Sequence, residues 1–439
     1  MGGLPADRGA RPATRGRDGA RPGPLRRDAL DGSSDWRRLA LVFATAGFVE
    51  TVSFGHFVTF MPLLVRSLGV TDTGLAVTVG FLSVAAFIAG LPLVPFWGAW
   101  ADRYSRKAVI VRSAVVETVL FLLLSQVGQV WQLFVLVPLA GLVLGNTGVM
   151  LSEVSDRAPR ASLALAISIV GTASPLGFAI GPAIGGVIAD HTSVQTLFLL
   201  DGLLSLAMVV MLMALYHEHR PRPAGGSVLA LVRTSLAAIV RTPLARGVFA
   251  GYSLLLLGQR LVAPYLPLYV ERLAGPVQLA TIVGLVAGAY GVASAVGTPV
   301  AGAVADRAGY RRVFAVGAIV AGSCLLLAAI APSLLAFALV YAGSGIGFAA
   351  CGSMLFTMLA AGLPPAIRSS VLNLALAPLY LSGVAGSLAS AAVLQLNGGD
   401  LGPLWVAGGV AVLLSLSPVA RLRLGGAPTP SAPPPSAPA

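Results

Sequence analysis

The sequence predicts an all-α membrane protein: twelve transmembrane helices in two pseudo-twofold-related six-helix bundles. Three observations carry that expectation. Of 439 residues, 56% are apolar and only 10% charged, with a mean hydropathy of +0.86; a soluble domain uses about 25% charged residues. Apolar runs close to the ~20 residues that a helix needs to cross hydrocarbon recur along the chain. The phrase GAWADRYSRK at 98–107 returns as GAVADRAGYRR at 302–312, each copy between apolar runs.

Taken in order, residues 1–38 are an Arg-rich segment with almost nothing to bury, so disorder is expected. No apolar run directly follows Met1, and no cleavable signal peptide is expected. Spans are expected at 39–65, 73–97, 108–127, 131–151, 164–188 and 196–216, forming a first bundle over 39–216. The linker 217–246 contains SVLALVRTSLAAIVRTPLAR, apolar at helical spacing with Arg233, Arg241 and Arg246 nearby, which predicts an amphipathic helix on a membrane surface. Spans at 247–270, 278–301, 313–331, 334–360, 370–395 and 403–420 form a second bundle over 247–420, and 421–439 is a Pro-rich tail expected to be disordered.

Charge bias orients the chain. With both termini inside, Arg103, Arg106, Lys107, Arg157, Arg160, Arg220, Arg222, Arg307, Arg311, Arg312, Arg368, Arg421 and Arg423 are cytoplasmic, and only Arg66 and Arg272 fall outside. The expected location is the cell membrane. The same distribution explains the net charge of +12 without nucleic acid. Cys324 and Cys351 lie inside apolar spans and read as small core residues.

Other function classes find little support. GSGIGFAACG at 343–352 sits inside span 10 without the strand–turn–helix context of a nucleotide site, and no GxxxxGK[ST] loop is present. His217-Glu218-His219 places its histidines at i, i+2, off a common helix face, and reads as a solvated helix end. No enzyme activity, cofactor or metal is expected.

The halves read as repeats. Span 1 ends FMPLLVRSLGV and span 7 ends YLPLYVERLAG, matching Pro62 to Pro267 and Arg66 to Glu271 at nearly the offset that separates Asp102 from Asp306. Gly98-x-x-x-Asp102-Arg103 and Gly302-x-x-x-Asp306-Arg307 resemble the loop 2–3 and loop 8–9 signature of the major facilitator superfamily, over the whole chain outside the tails. The resemblance implies the major facilitator fold and a cytoplasmic gate. Gly98 and Gly302 would let helix ends approach. Asp102 and Asp306 would accept from a helix N-terminus, and Arg103, Arg106, Arg307 and Arg311 would pair with acids. Ser105 stands where the pattern expects Gly, and Tyr310 where Arg106 would align. Since Glu153 and Asp156 follow span 4 while LPPAIR after span 10 has no acid, Arg106 is expected to pair with Glu153 or Asp156 in the first half alone.

GFAIGPAIGG at 177–186 resembles the span-5 motif of the superfamily's drug:proton antiporters through Gly177, Gly181, Pro182, Gly185 and Gly186. Small residues at spacing four permit tight crossing of a partner helix, and Pro182 bends the span. Glu50, twelve residues before Pro62, is placed like the span-1 acid of tetracycline-type exporters and is the leading proton-coupling candidate, with His56 on the same span to share a proton or touch substrate. Because spans 3 and 6 of this superfamily sit outside the cavity, Glu117 and Asp201 are each expected to have a structural partner, and Arg112 to reach Glu117 or the cytoplasmic surface. Asn146, Gln259, Arg260 and Asn373 are substrate-cavity candidates. One departure stands out: Gly141 occupies the place where these exporters carry a span-4 Arg.

The expected function is proton-coupled efflux of hydrophobic or amphipathic small molecules by alternating access, through a functional monomer whose partners are substrate, protons and the lipid bilayer. The alternative is transport of one metabolite, such as a sugar or organic anion.

Overall fold

In the computed structural model the described residues are 25–143, 146–159, 162–218, 228–363, 371, 374 and 377–422, and they are overwhelmingly helical. The first half comprises α1 (Leu25–Ser67), α2 (Asp72–Gly90), α3 (Val94–Arg103), α4 (Arg106–Leu124), α5 (Val130–Leu136), α6 (Ala140–Val143), α7 (Thr147–Arg157), α8 (Leu163–His191) and α9 (Val194–Leu215). Linker helix α10 (Val228–Arg241) follows, packed on α3 and α11. The second half comprises α11 (Pro243–Val262), α12 (Leu266–Ala274), α13 (Leu279–Ala308), α14 (Tyr310–Ala328), α15 (Leu334–Gly362), α16 (Ala377–Leu396), α17 (Gly402–Leu414) and α18 (Leu416–Ala420).

Ten helical segments among the described residues are long and apolar enough to cross a membrane. The other two expected spans fall on α2–α3 and α4. The first is broken by a turn at 91–93, ahead of Pro95, whose ring has no N–H for a helix bond. The second carries Arg106, Lys107, Arg112 and Glu117 within 19 residues. Span 4 is likewise interrupted, by a 3-10 turn at Val137–Leu139 around Pro138.

The packing repeats between halves. In the first, α1 lies on α8 and α9, and α4 on α9; in the second, α11 lies on α16 and α17, and α14 on α17. The two halves meet along α8 with α13 and α2 with α16, pairs that the same exchange of halves interchanges. Glycines set both seams. A Cβ on Gly291 would come 2.5 Å from the Ala179 Cα, and one on Gly186 or Gly284 would strike the backbone of Ala280 or Pro182. The other face of α8 meets α1: Cβ atoms on Gly177 and Gly181 would come within 2.9 Å of the Phe48 carbonyl and 3.1 Å of the Val52 Cα. The span-5 glycines therefore serve two neighbours at once, α1 and the opposite half.

Candidate functional site

The ends of the two halves are held differently. At the end away from the Arg-rich loops, Arg66 at the close of α1 ion-pairs with Glu271 on α12, the two residues matched by the repeat. Nearby, the Asp190 carboxylate at the end of α8 accepts from the amides of Ala280 (3.1 Å) and Thr281 (2.7 Å), capping α13, where exposed helix N–H groups favour an anion. These contacts cross the seam. Deeper, the Tyr380 hydroxyl on α16 donates to the Gly141 carbonyl at 3.1 Å.

At the Arg-rich end of the first half, α3 stops at Tyr104 and α4 starts after Ser105, whose hydroxyl caps Ala108. Arg106 donates to Glu153 at 2.8 Å and Asp156 at 2.7 Å, so it engages both acids rather than one. Burial pulls the Arg106 guanidinium down, but the two carboxylates outweigh it and hold the group above its ordinary value. Glu153 also pairs with Arg157. Glu218 is not a solvated helix end: its carboxylate accepts from the Ser105 hydroxyl and the Arg106 amide, each at 2.5 Å. Arg103 is exposed beside the Tyr104 ring.

Gly98 and Asp102 lie on α3 with side-chain surroundings outside the described residues, as do Asn373 and His219 entirely. In the second half, Asp306 and Arg307 end α13 exposed, and no described atom lies within 4 Å of a Cβ built on Gly302. Close helix approach at Gly302 is therefore absent among the described residues. Arg311 meets no described acid there either; it donates to the carbonyls of Ala420 and Leu422, which close α18. Its repeat equivalent, Lys107, donates to the carbonyls of Met213 and Tyr216 at the end of α9. Both halves thus use one cation to satisfy the orphan carbonyls of their last helix. The signal was present in the sequence, as a cation five residues after each Asp.

The interior of the first half holds a polar cluster. Glu50, 5% exposed, accepts from Asn146 Nδ2 at 2.6 Å, so Asn146 is taken up by Glu50 rather than presented to a ligand. His56 places Nδ1 2.9 Å from the Asp201 carboxylate and Nε2 2.8 Å from the Gly181 carbonyl. A carbonyl only accepts, so Nε2 carries a hydrogen and a further proton lies between Nδ1 and Asp201. Gly185 leaves room for the ring, since a Cβ there would strike the imidazole. Asp201 thus pairs with His56. Both Glu117 oxygens are buried without a hydrogen bond, as are the Ser53 and Ser205 hydroxyls. Arg112 does not reach Glu117; its guanidinium carbon lies 3.5 Å from the Trp97 ring centroid and Nη2 bonds Ser113 at 2.8 Å.

One turn along α1 from Glu50, a mostly apolar cavity opens between the halves. Phe54, Phe57, Val58 and Met61 come from α1, Val79, Leu82, Ala86 and Phe87 from α2, Ala140 and Gly141 from α6, and Arg260 from α11. Its volume is about 40 Å³, well below the roughly 300–1,000 Å³ of drug-sized pockets. The walls must part to admit a ligand. Arg260 reaches this cavity; Gln259 instead donates to the Tyr290 hydroxyl at 2.9 Å.

A sequence profile of the Major Facilitator Superfamily matches residues 43–282 and 248–439. The chain is 29% identical over 296 residues to the multidrug resistance protein MdtG of Salmonella dublin, covering 67% of this chain and 72% of that protein. Against MdtG of Escherichia fergusonii it is 28% identical over 300 residues, covering 68% and 73%. Among solved structures, the nucleoside transporter NupG superposes with a TM-score of 0.68 at 16% identity, covering 88% of this chain and all of that one. A bacterial homologue of the human lysosomal transporter Spinster, crystallised inward-facing and unoccupied, gives a TM-score of 0.64 at 16% identity over 89% and 94%. These relatives are transporters rather than enzymes, and the chain itself belongs to the major facilitator superfamily.

Proposed function

We propose that this transporter exports hydrophobic or amphipathic small molecules across the cell membrane, driven by protons entering through Glu50, with both termini cytoplasmic and the monomer as the working unit. The observation that carries the reading is Glu50 itself. It is a buried carboxylate in mid-span whose one described hydrogen bond comes from a neutral amide, one helical turn from the wall of an apolar cavity. Ionisable groups at such depth are costly and persist where they work. Protonation removes the charge and weakens the bond from Asn146, a local change next to the surface a ligand occupies. Likeness to multidrug resistance proteins supports export of lipophilic compounds.

Alternating access is supported by the way the halves meet. The Arg66–Glu271 pair and the Asp190 cap join them at the end proposed to face outward. Opening outward would break these contacts, and the Arg106–Glu153–Asp156 knot stays within one half.

The test is uptake of a panel of lipophilic dyes of either charge into inside-out vesicles with an acidic lumen. Glu50→Gln is expected to abolish gradient-driven uptake at normal expression, while Glu50→Asp retains part of it. Uptake by Glu50→Gln that still follows the gradient at the wild-type rate rules out the coupling role.

A further inference from the structure

Among the described Asp, Glu, Lys and Arg residues of the second half, Arg260 is the one in the middle of a membrane-crossing segment, Pro243–Ala274, which α11 and α12 form together; the others stand near the ends of such segments. It projects from α11 into the cavity wall. Its guanidinium carbon lies 4.8 Å from the centroid of Phe87, a ring contributed by the opposite half. Gly386 on α16 makes room for it, since a Cβ there would come 2.8 Å from the Arg260 Cβ. Tyr252, Tyr290 and Tyr341 lie within electrostatic reach of it. No carboxylate among the described residues lies within salt-bridge distance, and Nε is buried without a hydrogen bond. Two interior acids are engaged elsewhere, Asp201 by His56 and Glu50 by Asn146. A half-buried cation held over a ring, with no described carboxylate as counter-ion, on the wall of a cavity between two moving halves, lacks one partner: an anion. The planar fork of Arg suits an oxyanion head, and the rest of the wall suits an apolar body.

We propose that Arg260 is the anion-recognition point of the cavity, and that the preferred ligand is an amphipathic anion. The guanidinium takes its carboxylate, sulfonate or phosphate head, and Phe54, Phe57, Met61 and Phe87 take its apolar body. This names the substrate class for the export proposed above and rests on that reading for transport, though not for binding.

The experiment measures binding of three probes with one body, 4-phenylbutyrate, 4-phenylbutanol and 4-phenylbutylammonium, to the full chain in phosphatidylcholine nanodiscs. The wild type is expected to bind the carboxylate at least tenfold more tightly than the ammonium, a difference of about 1.4 kcal/mol. Arg260→Gln removes that preference and leaves phenylbutanol binding unchanged, while Arg260→Lys keeps part of it. Absence of a carboxylate preference in the wild type, or its survival in Arg260→Gln, overturns the proposal. The two readings separate because this binding is measured without a gradient on wild type and Arg260→Gln: loss of gradient-driven uptake in Glu50→Gln bears on coupling alone, and loss of the carboxylate preference bears on Arg260 alone. In discs containing phosphatidylglycerol, unchanged carboxylate affinity identifies a soluble anion as the occupant. A fall confined to the wild type identifies an anionic lipid headgroup in the same place.

Discussion

The two halves share a packing scheme but not an interior. Between α1, α4, α7 and α9 the first half buries Glu50, Glu117, Asn146, His56 and Asp201. The second half instead carries an aromatic cluster: Tyr269, Phe337, Tyr341 and Trp405 pack with ring centroids 4.9 to 5.8 Å apart, and Tyr290 stacks on Tyr341 at 4.9 Å. At the end away from the Arg-rich loops the contrast reverses. There the second half bridges Arg272 to Asp400 at 2.8 Å, while the first half makes the same link with neutral groups, Gln195 to Ser67 at 3.3 Å. A duplicated unit has kept its geometry, which small residues and helix ends dictate. The chemistry has diverged: titratable groups that can take up and release protons on one side, and on the other a stiff aromatic frame with a single cation facing the seam.

That contrast can be broken most sharply inside the first half. His56→Ala strands Asp201 as a buried, unpaired carboxylate, and removing one member of such a pair costs about 3–5 kcal/mol. Thermal unfolding in detergent should show a large loss, with Asp201→Asn in the same background recovering much of it. Tyr341→Phe in the second half, where the ring rather than the charge matters, should move the midpoint far less. A His56→Ala protein as stable as wild type removes the claim that this interior is organised by charge.

A smaller effect is expected where the halves differ at their loops. Arg106→Glu replaces the bonds to Glu153 and Asp156 by repulsion, but Asp156 is exposed and water screens that pair, so about 2 kcal/mol is at stake in all. Stability should fall and be restored in part by Glu153→Arg. Tyr310→Glu at the matching place meets no described acid and should be close to neutral. Failure of the charge swap to rescue Arg106→Glu would show that the knot does not depend on this pairing.

The smallest effect belongs to the exposed pair Arg272–Asp400. The hydrogen bond from Arg272, with help from the Gly402 amide, holds the Asp400 carboxyl below its ordinary value. A carboxyl depressed on folding adds stability above the pKa of the unfolded chain, roughly 4, and that stability is lost as pH falls through the folded value. Wild type should therefore exceed Asp400→Asn slightly in melting temperature near neutrality, with the curves converging below about pH 4. The first half, linked there by Gln195 and Ser67, supplies no such term, and Gln195→Ala should show no pH dependence.

Much of this was legible in the chain. The membrane class, the repeat and the family signature followed from apolar runs and from GAWADRYSRK and GAVADRAGYRR, because hydropathy and local spacing are properties of sequence alone. So did the acids that Arg106 meets, since loops of one half lie near one another in any six-helix bundle. Where a buried group points was not legible. Sequence spacing gave His56 and Asp201 no reason to meet across 145 residues, nor Glu218 a reason to cap α4. The motif makes Gly302 a site of close approach, but no described atom lies within 4 Å of a Cβ built there.

The sequence by itself determined that this chain spans a membrane as a duplicated helical unit, because burial in lipid demands long apolar helices and leaves few ways to arrange them. Only the tertiary structure decided which polar residues find one another, and that Arg260 meets no described carboxylate. Side-chain partners come from helix rotation and crossing, which are fixed by packing over the whole molecule and not by any local stretch.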